Sequence, residues 1–285
     1  IYRSLVGSEM CIRDSLLSIA SILAGAFVRA TGSGDGCGAT WPTCKGKIIP
    51  ALSDTSELIE FSHRSVSGVL LVVTLIIFAK TRKFQKESLV RIVTNYLTFF
   101  VIFEALIGAV IVIFEWVGLN SSLPRIIAVP IHLVNTFGLL GSYAILYKIL
   151  QDDLQNIKNM FNKNFLLISS LFLLSGATGS ITALADVLFP SASFVEGFLA
   201  DFDRTSEVLT RLRILHPIIS SILSIVLYVY ATGIRKKYNV GVKPLQILIL
   251  IAVFLGVINV LSNIVLPLSI LPVSYTHLTL PTITG

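Results

Sequence analysis

Seven long apolar runs are the feature that most constrains the fold of this 285-residue chain. They cover residues 16–28, 59–79, 92–114, 126–147, 164–185, 212–232 and 245–268. A helix needs about 20 apolar residues to cross a hydrocarbon layer of about 30 Å, and every run except the first reaches that length. The runs show no alternation of apolar and polar residues, which excludes barrel strands. Because only 13% of the residues are charged, a soluble enzyme, a disordered tail and a nucleic-acid-binding protein are also excluded. The sequence predicts an all-α polytopic membrane protein.

Both ends of the chain are expected to be foreign to the fold. Residues 1–15 and about 273–285 resemble translated adaptor sequence, and the first apolar run is too short to span a membrane alone. We therefore expect the first helix to be truncated or replaced, and Cys11 and His277 to carry no functional information.

The distribution of Lys and Arg predicts how the chain is oriented in the membrane. The loops 80–91, 148–163 and 233–243 together contain twelve basic and three acidic residues. Since basic residues concentrate in cytoplasmic loops, these three loops are predicted to face the cytoplasm and the loop 29–58 to face outward. The net charge of +6 then reflects orientation rather than an anionic partner.

The sequence also contains an internal repeat. Gly25 and Gly176 close similar apolar runs, and His63 and His216 lie 153 positions apart near the starts of two other runs. We interpret this as a duplicated four-helix bundle, which gives parallel repeats and eight transmembrane helices, the last of them truncated or replaced. The predicted halves are residues 16–150 and 151–272.

Three histidines are the candidate metal ligands. His63, His132 and His216 each lie four to seven residues into a helix that runs from outside to inside, so they share one depth in the outer leaflet. Each could be a core histidine bonded to a carbonyl, but ionisable groups at matched depth inside spans indicate function. Paired imidazoles on facing helices suit the axial positions of a heme iron. Zinc is disfavoured because no cluster of thiolates or carboxylates accompanies them.

Buried charges accompany the first of these histidines. Glu60 lies three residues before His63 on the same helical face, where it is either a base or charge stabiliser, or an ion-pair partner of Arg64 or Arg29. The repeat offset places Arg213 at the position of Glu60, which favours reaction in the N-terminal half. A second acid, Glu104, is interpreted as functional or as a helix-to-helix hydrogen bond.

Four arginines lie near the outward ends of the runs. They are predicted either to bind heme propionates or to extend toward lipid phosphates, and the sequence does not decide between the two: Arg29, Arg64, Arg211 and Arg213.

The loop TGSGDGCGATWPTCKGKIIP holds two of the three cysteines. Cys37 and Cys44 are seven positions apart and fall on the oxidising side, where either a structural disulfide or a redox-active dithiol is possible. The spacing is not that of a CxxC pair.

Five motifs occur in the order of one known family. GAFVRATGSGDGCGATWPTCKGKIIP, IEFSHR, GATGSITALADVLFPS, RLRILHP and LGVINV resemble heme A synthase, over about residues 16–272. The resemblance implies oxidation of the C8 methyl of heme O to a formyl group by successive hydroxylations, for cytochrome c oxidase assembly, with a bound heme b as cofactor.

The resemblance also implies roles for individual residues. It makes Glu60 the catalytic carboxylate, His63 and His132 ligands of the substrate heme, and His216 one ligand of heme b. It makes Cys37 and Cys44 a loop disulfide. The family's last helix, with the second ligand of heme b, has no recognisable counterpart in this sequence.

Two other classes of protein compete with this interpretation. A bis-histidine b-type cytochrome in quinone-linked electron transfer would use the same histidines without needing Glu60, and a secondary transporter built on parallel repeats would bind no heme. As a heme A synthase, the protein is expected in a bacterial plasma membrane with heme O, and heme O synthase as a candidate partner. The sequence does not identify the electron acceptor or the oligomeric state.

Overall fold

The computed structural model describes residues 2–50, 53–118, 120–151, 163–238 and 241–261, with the side chains of 2–14 and 237–238 left out. Within these ranges the regular structure is helical. The long helices are α1 (Tyr2–Ala30), α2 (Thr55–Thr81), α3 (Leu89–Ile113), α4 (Leu123–Leu150), α5 (Lys163–Leu188), α8 (Leu215–Tyr238) and α9 (Lys243–Leu261). Two short helices, α6 (Phe194–Phe202) and α7 (Val208–Leu212), lie between α5 and α8.

Six helical stretches in the described part of the chain are long and apolar enough to cross a membrane. They are α2, α3, α4, α5, α9 and the stretch Val208–Lys236, which takes in α7 and most of α8. These correspond to the six full-length apolar runs of the sequence, and the predicted all-α polytopic membrane fold is confirmed. The predicted run 245–268 continues beyond the described residues.

The first helix includes residues that were predicted to be foreign, and its helical conformation leaves that prediction untested. Residues 2–15, predicted to be foreign to the fold, continue α1 upstream of the apolar stretch Ser15–Ala30. Residues 273–285, including His277, lie outside the described part of the chain, so that prediction stays untested.

Helix starts follow local capping signals. The carboxylate of Asp54 accepts hydrogen bonds from the backbone N–H groups of Ser56 and Glu57 at the start of α2, and the Ser88 hydroxyl accepts from Arg91 N–H at the start of α3. Such side chains satisfy donors that have no partner within the helix. They fix where α2 begins, and so the position of Glu60 and His63 along it.

The chain forms two compact units. The first consists of residues 1–128 and 135–157, and the second of residues 129–134 and 158–285. In the first unit, α2, α3 and the later part of α4 pack through a cluster that includes Leu70, Leu97 and Tyr143. The Tyr143 hydroxyl and the Thr74 hydroxyl are 2.7 Å apart inside this cluster, so its polar atoms pair with each other.

Large apolar side chains remain exposed on the outer faces of the helices. On α2, Val69, Val72 and Ile76 are each about half exposed. Such faces are unfavourable in water and favourable against lipid tails. This exposure agrees with a multi-pass membrane protein.

Candidate functional site

His63 lies in a close-fitting recess between α1 and α2. Its Nδ1 is 3.1 Å from the backbone carbonyl oxygen of Ser21. A carbonyl oxygen can only accept, so the neutral imidazole carries its proton on Nδ1 and its lone pair on Nε2. Gly25 faces the ring so closely that a Cβ there would lie 2.9 Å from His63 Cε1. Besides His63, Ser21 and Gly25, the recess includes Ser67, whose hydroxyl is 2.7 Å from that of Ser21.

His216 lies in a matching recess between α5 and α8. Its Nδ1 is 3.0 Å from the carbonyl oxygen of Ser175, and a Cβ on Gly179 would lie 2.8 Å from His216 Cε1. The hydroxyls of Ser175 and Ser220 are 2.8 Å apart, and Ser220 Oγ is also 3.1 Å from His216 Nδ1. The hydrogen bond to the Ser175 carbonyl again places the proton of the neutral imidazole on Nδ1.

The two recesses are built from corresponding residues. Each residue of the first has a counterpart 153 or 154 positions later in the second: Ser21 with Ser175, Gly25 with Gly179, His63 with His216, and Ser67 with Ser220. The sequence analysis paired Gly25 with Gly176, and this was wrong, because Gly179 is the glycine that faces the histidine ring.

Sequence analysis missed the serines of both recesses. The signal was nevertheless present, since Ser-x-x-x-Gly occurs at Ser21 and at Ser175, and His-x-x-x-Ser occurs at His63 and at His216. Residues four apart lie on one helical face. A repeated pair of such spacings therefore marks two helices that face each other.

Glu60 connects α2 to the disulfide loop. Its Oε2 accepts a hydrogen bond of 2.8 Å from the backbone N–H of Cys37, and its Oε1 accepts from Arg64 Nε and Nη2 at 3.1 and 2.5 Å. Glu60 is only 3% exposed. The remaining nitrogen of Arg64, Nη1, donates to the carbonyl oxygens of Thr40 and Thr43 at 2.6 and 2.7 Å. The ion pair with Arg64 is one of the alternatives raised from sequence.

The loop itself is closed by a disulfide. Cys37 and Cys44 are bonded, both are fully buried, and their Cα atoms are 4.4 Å apart. Lys45, next to the bridge, forms a short ion pair with Glu57 on α2. That hydrogen bond to Glu57 raises the pKa of Lys45, and the attraction of Asp54 adds to the effect. The bridge is present as predicted, while redox activity of the pair stays a separate prediction.

Arg213 occupies the position that corresponds to Glu60, just before α8. It donates to Asp201 at 2.8 Å, to Asp186 at 3.1 Å and to the carbonyl oxygen of Gly197 at 3.2 Å. Arg213 is 8% exposed. Burial raises the pKa of Asp201 on α6, and its hydrogen bond to Arg213 opposes that shift. In this unit a buried cation, rather than a buried anion, holds the segment between α5 and α8.

The remaining predicted site residues are His132, Arg29 and Arg211. His132 is on α4 in the stretch 129–134, which belongs to the second unit, so its predicted pairing with His63 stays a prediction. Arg29 ends α1, and Arg211 is exposed on α7. The predicted propionate contacts of Arg29, Arg64, Arg211 and Arg213 also stay predictions, although Arg64 and Arg213 are held by protein groups.

Glu104 on α3 forms the helix-to-helix contact that was one of its two interpretations. The amide of Asn135 and the hydroxyl of Thr136, both on α4, donate to its two carboxylate oxygens at 2.5 Å each. In the described ranges, no group of three or more His, Cys, Asp or Glu residues is arranged to hold a metal ion.

Comparisons with known proteins identify the family of this chain. Residues 10–277 match the COX15-CtaA family model, described as cytochrome oxidase assembly protein. A protein named protoheme IX farnesyltransferase from Thermus thermophilus is 38% identical over 224 residues, which cover 76% of this chain and 36% of that protein.

Proteins named heme A synthase match over shorter stretches. The one from Halalkalibacterium halodurans is 42% identical over 95 residues, which cover 33% of this chain and 32% of that protein, and the one from Bacillus mycoides is 32% identical over 123 residues, covering 42% and 37%. The chain spans about a third of the length of the curated relatives it matches. The family match covers nearly the whole sequence, and the chain therefore belongs to the family of cytochrome oxidase assembly proteins that includes the heme A synthases.

Proposed function

We propose that this protein is a heme A synthase that oxidises the C8 methyl of heme O to a formyl group by successive hydroxylations, in support of cytochrome c oxidase assembly. One observation carries the proposal: Glu60, a buried carboxylate, is fixed one helical turn before His63, whose Nδ1 is held by the backbone carbonyl of Ser21. Family membership and the relatives named heme A synthase support it.

The name of the Thermus relative does not point to a different function for this chain. The match covers only 36% of that protein, so most of the protein that bears the name lies outside the match. It does suggest heme O synthase as a partner, because a chain of this family and a protein that farnesylates protoheme would act on successive forms of one heme.

The donor set of both recesses fits heme iron. A histidine that donates its Nδ1 proton to a backbone carbonyl has a fixed tautomer, a fixed ring orientation and a more basic Nε2. We propose that His63, with His132 as the second ligand implied by the sequence, binds the substrate heme, and that His216 is one ligand of heme b. Heme b would supply one-electron redox chemistry.

Glu60 would act on the substrate as a fixed anion. Each hydroxylation of the methyl group with water as the oxygen source would release two electrons and two protons, and the two electrons would have to pass to a separate electron acceptor. The hydrogen bonds from Cys37 N–H and Arg64 favour the ionised carboxylate. Such a preorganised charge stabilises positive charge that develops on the carbon, and its remaining lone pairs can accept the proton.

The proposed location is a bacterial plasma membrane, with the disulfide loop outside and the basic loops 80–91, 148–163 and 233–243 in the cytoplasm. The Cys37–Cys44 bridge supports this orientation because disulfides persist on the oxidising side. A homo-oligomer is compatible with the exposed apolar helix faces.

Pigment analysis of the purified protein tests the proposal. Expressed in a host that makes heme O, the protein should yield heme A and its hydroxylated precursor on extraction. Heme b alone would support the bis-histidine cytochrome and contradict the synthase, and no heme at all would support the transporter. A Glu60→Gln variant in the same host should keep bound heme but lose heme A.

A further inference from the structure

Arg125, at the start of α4, is a buried cation that the proposed mechanism does not use. It is 7% exposed. Its Nη1 donates to the carbonyl oxygens of Asn120, Gly118 and Val117 at 2.6, 2.7 and 3.4 Å. These carbonyls are neutral, and no ion pair joins Arg125 to an acid among the residues that the structure describes. A buried charge without a counter-ion is costly.

The contacts of Arg125 leave one edge of the guanidinium unused. Its Nε is buried and has no hydrogen-bond partner in the structure. Within the described ranges, Nη2 likewise donates to no protein group. Nε and Nη2 form the edge with which arginine binds carboxylates and phosphates through two parallel hydrogen bonds.

A second orphaned donor lies one helical turn away. Ser122 is the N-cap residue of α4, but its hydroxyl caps no backbone N–H group, and it is buried without a partner. Ser122 is the N-cap residue and Arg125 the third residue of α4, so both side chains belong to the first turn of this helix. Buried polar atoms without partners are rare, and two together call for a group that completes them.

The position favours an anion. The first turn of a helix carries partial positive charge, and its N–H groups point outward along the axis. We propose that Ser122 and the Nε and Nη2 edge of Arg125 form a binding site for an oxyanion, and that, if the proposed function holds, this oxyanion is a propionate carboxylate of the substrate porphyrin. A phospholipid phosphate has the same chemistry and is the other source. Arg125 was not among the arginines assigned to propionates from sequence, because nothing in its spacing shows that it is buried.

The loop before α4 binds only the Nη1 atom of Arg125, so the Nε and Nη2 edge makes no contact with that loop. Nη1 bonds three carbonyls of one turn, around Gly118, whose φ of +57° is the left-handed conformation that favours glycine. Asp35 lies against Gly118, yet its carboxylate forms no ion pair with Arg125 in the described structure. The guanidinium is therefore fixed by one nitrogen, with its side edge left for a ligand.

Porphyrin titration tests the site. The purified full chain carrying His216→Ala, which removes the second unit's ligand, is titrated with ferric protoporphyrin IX and with its dimethyl ester, followed by Soret absorbance. We expect Arg125→Gln to weaken binding of the diacid by about 10- to 100-fold, the effect of losing a charged hydrogen-bond pair, and to leave the ester unchanged. Arg125→Lys should recover part of the affinity, because a point charge replaces the two-pronged contact.

Two further variants keep the test decisive if Arg125→Gln misfolds. Ser122→Ala leaves the Nη1 contacts intact and should lower diacid affinity a few-fold. Arg91→Gln is the matched control, because Arg91 donates to the Phe84 carbonyl at the start of α3 and should not affect either ligand. Helix content by circular dichroism identifies variants that fail to fold.

A count of phospholipid phosphorus per purified chain separates the two sources. If Arg125→Gln removes bound phosphorus and leaves porphyrin affinity unchanged, the oxyanion site stands and the propionate assignment falls. If neither ligand responds to Arg125 or Ser122, the site is overturned and Arg125 serves only the loop. If the parent chain binds no porphyrin but loses phosphorus on substitution, the proposed function fails while the site survives.

Discussion

The two units hold their histidines alike, but the loops that precede α2 and α8 are held by charges of opposite sign. In each unit a serine carbonyl fixes Nδ1, a glycine admits the ring, and two serine hydroxyls pair beside it. Three positions before the histidine, however, the first unit has an acid, Glu60, and the second has a base, Arg213.

Both of these charged residues are buried, and both hold a loop. Glu60 accepts from the amide of Cys37 and from Arg64, whereas Arg213 donates to Asp186 and Asp201. Both residues therefore attach a loop to the helix that follows it, through buried ion pairs. The two units therefore differ at this position in the sign of the charge and not in its burial, and under the proposed function the unit with the acid is the reactive one.

The largest expected effect separates the charge of Glu60 from its structural role. Glu60→Gln keeps the size of the side chain and removes the anion, so conversion of heme O to heme A should fall by about 100-fold or more, within the range for a lost acid–base or charge-stabilising group. Pigment extraction measures the conversion, and trypsin sensitivity of the loop 31–50 measures the anchor.

Glu57→Gln is the matched control for this variant. Glu57 is also buried on α2 and also contacts the loop, through Lys45, but it lies one turn earlier than Glu60. It should lower conversion by less than tenfold. Equal losses in the two variants, in step with equal loosening of the loop, would show that Glu60 is an anchor only.

The next effect tests whether the two recesses are equivalent. Gly179→Ala forces a methyl to within 2.8 Å of the His216 ring, and Gly25→Ala forces one to within 2.9 Å of the His63 ring. Overpacking of this kind costs about 1–3 kcal/mol, because the ring must move away from its carbonyl partner. We expect Gly179→Ala to lose heme b, and Gly25→Ala to keep heme b but lose conversion of heme O.

Open glycines on the partner helices provide the controls for the recess variants. A Cβ on Gly68 of α2 or on Gly233 of α8 would meet nothing within 4 Å. Gly68→Ala and Gly233→Ala should therefore retain heme content and activity. If Gly25→Ala and Gly179→Ala behave like these controls, the recesses do not position the histidines.

A smaller effect concerns the Cys37–Cys44 disulfide, which has no counterpart in the described segment between α5 and α8. A Cys37→Ser/Cys44→Ser double variant removes the disulfide that joins two residues seven positions apart. The loop then gains conformational entropy when it unfolds, which lowers its stability by about 2–3 kcal/mol. Trypsin should cut after Lys45 or Lys47 faster than in the parent. Cleavage after Arg204, in the outer loop of the second unit, should stay the same and serves as the internal control. An unchanged rate at both lysines would mean that Glu60 and Arg64 suffice to order the loop.

Hydropathy predicted the helices of both units, whereas side-chain spacing predicted only part of the site. The six long spans follow from uninterrupted apolar runs, which have few alternatives in a membrane. The serines of the recesses were missed because small residues on apolar helices contribute little to hydropathy, although they let helices approach closely.

The charged residues show what sequence spacing cannot supply. The pairing of Arg64 with Glu60, four positions away on one helix, could be raised from spacing, but the contacts of Arg64 with Thr40 and Thr43 could not. The contacts of Arg213 with Asp201 and Asp186, 12 and 27 positions away, could not be predicted from spacing either. Helix α6, which supplies Asp201, was also missed, because nine residues in a long loop give a weak periodic signal. Such contacts depend on how a loop folds back onto its helix.

The smallest expected effect is a difference in pH sensitivity between the disulfide loop, which the Lys45–Glu57 ion pair holds, and the loop that Arg213 holds. The pKa of Lys45 lies above its ordinary value of 10.5 because of its hydrogen bond to Glu57. The stabilising contribution of this pair is therefore complete below the ordinary value and is lost as the pH rises through the raised pKa. Arginine side chains stay protonated in proteins, so a loop that is held by arginine instead of lysine should not respond. Trp41 lies in the disulfide loop, and its fluorescence anisotropy in a Trp116→Phe background reports on the loop directly, since the chain has two tryptophans. We expect anisotropy to fall above pH 10.5 in the parent and to stay level in Lys45→Arg, which also corrects for tyrosine ionisation. A fall of equal size in both would assign the change to another group and remove Lys45 from the anchor.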